Sequence, residues 1–112
     1  MSNKLNILWT NDNKEVFLEM LALYAFNSKK NQWWDEVNLI IWGPSAKLTA
    51  EDSQIQTEIF ELLSIGVSIE ACRNCTDNYG VTEKFEKFGI RVDYLGEYFT
   101  KYLKNDEKVL TI

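Results

Sequence analysis

The chain of 112 residues contains no histidine. That absence excludes an imidazole general base, Ser-His-Asp and Cys-His machinery, and any His-bound metal. Cysteine is scarce, with two in the chain. Together they supply half of the four ligands a structural zinc takes, so no metal site is expected short of one shared between subunits. Positive charge is also in short supply. Twelve Lys and Arg stand against seventeen Asp and Glu, for a net charge of −5. A nucleic-acid binder needs a basic footprint, and an anionic membrane surface attracts one, so neither partner is expected. Long apolar runs are missing as well. Leu39-Ile40-Ile41-Trp42 and the run around Val67–Ile69 are far too short to span a bilayer. Leu5 to Trp9 is too short for a signal-peptide core, and no small-residue cleavage site follows it. These features predict a cytoplasmic protein. In a reducing compartment two thiols are reactive or inert rather than a structural disulfide.

What is present describes a globular domain. Apolar residues make up 46% and aromatic residues 13%, and a chain of this length buries roughly two thirds of its unfolded surface. There is no repeat, linker or low-complexity stretch. Residues 1–112 therefore read as a single domain.

Strand-like and helix-like segments alternate. Leu5–Trp9 reads as a strand. Thr10-Asn11-Asp12 supplies capping types for a helix marked by Val16, Phe17, Met20, Leu21 and Tyr24. Residues 37–42 form a near-continuous apolar run, as in a parallel strand covered on both faces, and Gly43-Pro44-Ser45 ends it in a turn. Thr49-Ala50-Glu51-Asp52 resembles a capping box ahead of Ile55, Ile59, Leu62 and Leu63, and Gly66 sits where a C-terminal cap belongs. Val67–Ala71 is a third strand. Val81, Phe85 and Phe88 mark a helix stopped at Gly89, Ile90–Leu95 a fourth strand, and Phe99, Tyr102 and Leu103 a short helix. Val109–Ile112 closes as a fifth strand. This βαβαβαβαβ order predicts right-handed crossovers and an α/β fold with a mostly parallel sheet.

Ligands of such sheets sit at the carboxyl ends of the strands. Four loops qualify: Thr10–Asn13, Gly43–Ala46, Cys72–Cys75, and Gly96-Glu97. Cys72 follows the third strand directly and opens a helix, where free N–H groups and a partial positive charge favour a thiolate. Arg73 adds positive charge. Cys75, one helical turn on, is placed to resolve a mixed disulfide or a persulfide. Around them, Trp42, Gly43 and Ser45 belong to a small-residue loop whose N–H groups offer an anion cradle, against the simpler reading of a turn shaped by Pro44. Glu70 and Glu97 are carboxylates available for proton transfer, or solvated surface groups. Of the adjacent pair Trp33-Trp34, one ring is expected in the core and the other at a subunit contact.

The segment Gly66-Val67-Ser68-Ile69-Glu70-Ala71-Cys72-Arg73-Asn74-Cys75-Thr76-Asp77-Asn78-Tyr79-Gly80-Val81 resembles the cysteine segment of the DsrE/DsrF-like family, which includes sulfur-relay subunits of the TusD type. The pattern is a glycine-led strand, a cysteine, and a glycine eight positions later, matched here by Cys72 and Gly80. The order of elements is similar over nearly the whole chain. The opening strand with its polar loop and Leu39-Ile40-Ile41-Trp42-Gly43 are family-like too. The resemblance implies a three-layer α/β/α sandwich with a five-stranded, mostly parallel sheet, and assembly into homo-oligomers, trimers or hexamers. It implies that Cys72 accepts a persulfide sulfur and passes it on, with sulfur donor and acceptor proteins as partners and no cofactor. Cys75 lies outside the sulfur-relay subunit pattern, although related small proteins carry a second cysteine. Where the pattern has a basic pair, this chain has Asn78-Tyr79.

Two other functions fit the residues. One is a thiol–disulfide oxidoreductase using Cys72 and Cys75. A thioredoxin fold does not suit it, because the single proline, Pro44, precedes the cysteines. The other is a non-enzymatic oligomeric binding or assembly subunit with incidental cysteines.

Overall fold

The computed structural model describes residues 3–112. Strand β1 spans Lys4–Trp9. It leads into a continuous helical stretch made of α1 (Lys14–Val16), a π-helical turn (Phe17–Leu21) and α2 (Ala22–Lys30). Then come β2 (Glu36–Ile41), α3 (Pro44–Glu51), α4 (Ser53–Ser64), β3 (Ser68–Cys72), α5 (Arg73–Asn78), α6 (Thr82–Phe88), β4 (Arg91–Asp93), α7 (Leu95–Lys104) and β5 (Lys108–Thr111). All four strand pairings are parallel, in the order β4-β3-β2-β1-β5.

The handedness of parallel crossovers turns this order into layers. From β1 to β4 the chain steps across the sheet in one direction, so right-handed connections put α1 to α6 on one face. The step from β4 to β5 runs back the other way and puts α7 on the opposite face. Packing agrees. Leu5, Ile7, Trp9, Val37, Leu39, Ile41, Ile69, Ala71 and Val92 pack with Phe17, Leu21, Ala25, Ala46, Ile55, Ile59, Leu62 and Phe85 in the larger core. Ile40, Cys72 and Leu95 form a second, smaller cluster with Leu8, Trp42, Tyr98 and Phe99. The three-layer α/β/α sandwich is thus present with unequal outer layers.

Local boundaries differ from the sequence expectation for identifiable reasons. Pro44 at the first turn opens α3, a position where a missing N–H costs nothing. Thr49 is therefore buried inside α3, and the cap of α4 is Asp52, which accepts from the N–H groups of Gln54 and Ile55 at 2.9 and 3.0 Å. The first helix is capped by Asn13, which accepts from Val16 at 3.1 Å. Its buried face runs through Phe17, Leu21, Ala25 and Ser28, while Met20 faces solvent. Ala25 and Ser28 are small, so apolar periodicity missed half of that face. Leu103 also points outward, and the apolar stripe of α7 is Leu95, Tyr98, Phe99 and Tyr102.

Candidate functional site

The site sits where the layers divide. At its carboxyl end β3 exits into α5, whereas the adjacent β4 exits into α7 on the opposite face. Neighbouring strands whose connections leave on opposite faces open a crevice between their ends. Cys72 is the last residue of β3 and lies in register with Asp93, the last of β4. Both cysteines of the chain therefore lie at the topological switch point, with Cys75 in the first turn of α5.

The two cysteines lie 3.9 Å apart and are unbonded. Their exposures differ in a way the sequence did not show. Cys72 is only 5% exposed, covered by Leu95 at the start of α7. Cys75 is half-buried and touches both cores. Burial pushes the Cys75 thiol above its ordinary range, and the neighbouring Cys72 adds to that; the N–H of Gly43, donating to Cys75 Sγ at 3.3 Å, works in the opposite direction.

The Gly43 loop reaches the thiol because its backbone is held in an unusual shape. Gly43 has φ +80° and ψ −143°, a region that is nearly glycine-only. Ser45 is fully buried and clamps this shape. Its hydroxyl donates to the carbonyl of Trp9 at 2.7 Å and accepts from the N–H of Trp42 at 3.1 Å. Ser45 thus ties the ends of β1 and β2 together and offers nothing outward. Trp42 packs edge-on against Phe99 of α7, with ring centroids 5.7 Å apart.

The remaining predicted residues separate from the thiols. Arg73 donates to the carbonyl of Val92 at 3.0 Å and approaches Glu86 at 4.0 Å, so its charge serves β4 and α6. Glu97 is exposed on the first turn of α7. Glu70 shares the face of β3 with Cys72 but is taken up by Asn38, Arg91 and Tyr102. Trp33 is 57% exposed, and Trp34 packs on the larger core. Sequence reasoning missed Leu95 and Phe99 as the cover over Cys72. Phe99 showed helical spacing, but Leu95 read as the end of a fourth strand that the structure stops at Asp93, and the face of the sheet on which α7 lands was not visible. Among the described residues no group of three or more Cys, Asp or Glu is placed to hold a metal ion.

BT1422 of Bacteroides thetaiotaomicron, a conserved protein of unknown function, has a solved structure that matches this one. Identity is 53% over 98% of this chain and 95% of that one, with a TM-score of 0.97. The chain belongs to the family of BT1422. Two more distant structures share the fold. The ychN protein of Escherichia coli matches at 18% identity and TM-score 0.71, covering 100% of both chains. MTH1491 of Methanobacterium thermoautotrophicum, also of unknown function, matches at 15% identity and TM-score 0.74, covering 97% of this chain and 98% of that one. The fold is accordingly DsrE/YchN-like. No family model and no curated protein matches the chain.

Proposed function

We propose that this chain is a small cysteine-based sulfur carrier whose working group is the pair Cys72 and Cys75. The observation that carries this is the 3.9 Å separation of two unbonded cysteines at the switch point of a parallel sheet. The resemblance of the segment Gly66–Val81 to the DsrE/DsrF-like cysteine segment supports the same chemistry. The exposures divide the work between the thiols. Cys75, half-buried, is the one an incoming persulfide meets. Its thiolate attacks the outer sulfur of the donor; the donor's S–S bond breaks, the donor leaves as a thiolate, and Cys75 becomes a persulfide. Cys72 then attacks that outer sulfur. The Cys75 S–S bond breaks, Cys75 leaves as a thiolate, and the proton given up by Cys72 is returned to it. The sulfur ends on Cys72, under Leu95 and away from small reductants. The Gly43 N–H, which donates to Cys75 Sγ, stabilises the Cys75 thiolate that the first step consumes and the second releases. Donor and acceptor proteins approach past Tyr94, which is 62% exposed and directly follows the carboxyl end of β4. The protein works as a homo-oligomer, a trimer or hexamer.

Intact-mass analysis tests this on the wild type, Cys72→Ser and Cys75→Ser after incubation with a persulfide donor. The wild type is expected to gain one sulfur that dithiothreitol removes. Cys72→Ser loads but loses its sulfur quickly to small thiols, and Cys75→Ser loads slowly. Equal loading of Cys75→Ser and wild type would remove Cys75 from the path. No uptake by any of the three would refute the carrier function and favour a binding or assembly subunit.

A further inference from the structure

The half of the α7 face farthest from the thiols is polar where a helix-covered sheet is ordinarily apolar. Asn6, Asn38 and Glu70, on three adjacent strands, are 0%, 3% and 4% exposed. Asn38 donates to Asn6 Oδ1 and to Glu70 Oε1, both at 3.0 Å. Asn6 in turn donates to Glu107 at 2.9 Å. Ser68 donates to Asn38 Oδ1 at 2.9 Å, and the Tyr102 hydroxyl donates to Glu70 Oε1 at 2.8 Å. Arg91 pairs with the other oxygen of Glu70. A row of hydrogen bonds thus crosses the sheet from Glu107 to Arg91. Burying such a row costs free energy unless every member is partnered, and an apolar row would fold at least as well. Stability alone therefore does not explain it.

A cavity of about 190 Å³ opens on this row, lined by Lys4, Asn38, Ser68, Glu70, Arg91 and Tyr102. Typical sites for drug-sized ligands hold roughly 300 Å³ or more, so this one suits a compact molecule. The donor inventory defines its chemistry. Both amide hydrogens of Asn38 and the hydroxyl hydrogens of Ser68 and Tyr102 are directed into the row. The charged donors on the lining are the Lys4 ammonium and the Arg91 guanidinium. Arg91 is half-exposed over the ring of Tyr98, 4.6 Å from its centroid, with one terminal nitrogen engaged by Glu70. Lys4 lies 4.5 Å over the ring of Tyr102 and 3.4 Å from Glu107. Each cation has a carboxylate beside it, Glu107 for Lys4 and Glu70 for Arg91, so the charges around the cavity balance, and what the two cations supply at its rim is charged N–H donors, three on an ammonium and five on a guanidinium.

We propose that this cavity is a second ligand site, separate from the thiols, and that it binds a compact oxyanion such as a small carboxylate between Lys4 and Arg91. The lone pairs of the Ser68 and Tyr102 oxygens accept from a hydroxyl on the ligand. The proposal does not depend on sulfur chemistry at the cysteines. The test is an NMR titration of the full chain with acetate, glycolate and inorganic phosphate, each against sodium chloride at equal ionic strength. At least one oxyanion is expected to give saturable shifts, absent with chloride, at the amides of Ser68 and Glu70 and at the Arg91 Nε–H. Saturation by acetate or glycolate identifies a carboxylate, and saturation by phosphate alone an inorganic anion. Lys4→Gln should weaken binding about tenfold, as expected for loss of one charged hydrogen bond. Arg91→Gln leaves Glu70 buried without its partner, so Glu70→Gln/Arg91→Gln is the folded control and should also bind at least about tenfold more weakly. Shifts that match those with chloride for all three anions, or that persist unchanged in both variants, overturn the proposal.

Discussion

Tyr102→Phe isolates one hydrogen bond in the buried polar row and has two readouts with a fixed sign. The Tyr102 hydroxyl donates to Glu70 Oε1 at 2.8 Å, while Glu70 is 4% exposed. A hydrogen bond to a charged group contributes roughly 1.5–3 kcal/mol when buried. Tyr102 is half-buried, and solvent screening brings the expected loss to about 1 kcal/mol. With an unfolding entropy on the order of 0.24 kcal/mol/K for a chain of this length, the melting temperature should fall by about 4 °C at pH 7. The second readout is pH. Burial, reinforced by Glu70, pushes the Tyr102 phenol up to about 12. A group whose pKa is raised on folding stabilises below its unfolded value, about 10 for tyrosine, and loses that contribution as pH rises through the folded value. The stability difference between wild type and Tyr102→Phe should therefore be constant from pH 7 to 9 and fall steadily between about 10 and 12, passing through zero, because a rise of this size outweighs about 1 kcal/mol. Urea denaturation of both proteins across this range measures it, because groups that titrate in both cancel in the difference. Equal stability of the two proteins at pH 7, or a difference that stays flat through pH 12, would refute the assignment of this bond.

Three further outcomes follow from single residues. Gly43→Ala should destabilise by about 1–3 kcal/mol, because φ +80° with ψ −143° disfavours any side chain; a Cβ there meets the Thr10 carbonyl oxygen at an ordinary 3.5 Å, so the urea midpoint reads backbone strain rather than a clash. In Cys72→Ser, iodoacetamide labelling of Cys75 should have its half-rate pH above the usual cysteine value near 8.5, since burial raises that thiol; a midpoint below that value would contradict burial as the dominant influence. Phe85→Ala should cost about 3–5 kcal/mol, as Phe85 is fully buried, whereas Leu103→Ala at 51% exposure should stay within about 0.5 kcal/mol. Chemical denaturation of both variants checks that contrast, and similar losses would contradict the assigned face of α7.

The number of strands and their alternation with helices along the chain were legible in the sequence. Apolar periodicity and turn residues are local signals, and each strand of four or more apolar or alternating residues carries them. The location of the thiol pair was legible for the same reason, since Cys72 follows a strand directly and loops at strand ends hold ligands. The helix Pro44–Glu51 was not, because its buried face consists of Ser45, Ala46, Thr49 and Ala50, which carry almost no hydrophobic pattern. The role of Glu70 was equally hidden. Its partners Asn38, Arg91 and Tyr102 lie on three other elements, between 21 and 32 residues away in sequence.

The sequence by itself determined that this is a parallel α/β domain with two cysteines one turn apart at the end of a strand. Only the tertiary structure decided that β4 and β5 lie on opposite edges of the sheet. That reversal sends α7 alone to the second face. It covers Cys72 while leaving Cys75 half-buried, and it gathers Lys4, Glu70, Arg91 and Tyr102 around one cavity. Strand order rests on packing between segments far apart in the chain, and no local pattern encodes it.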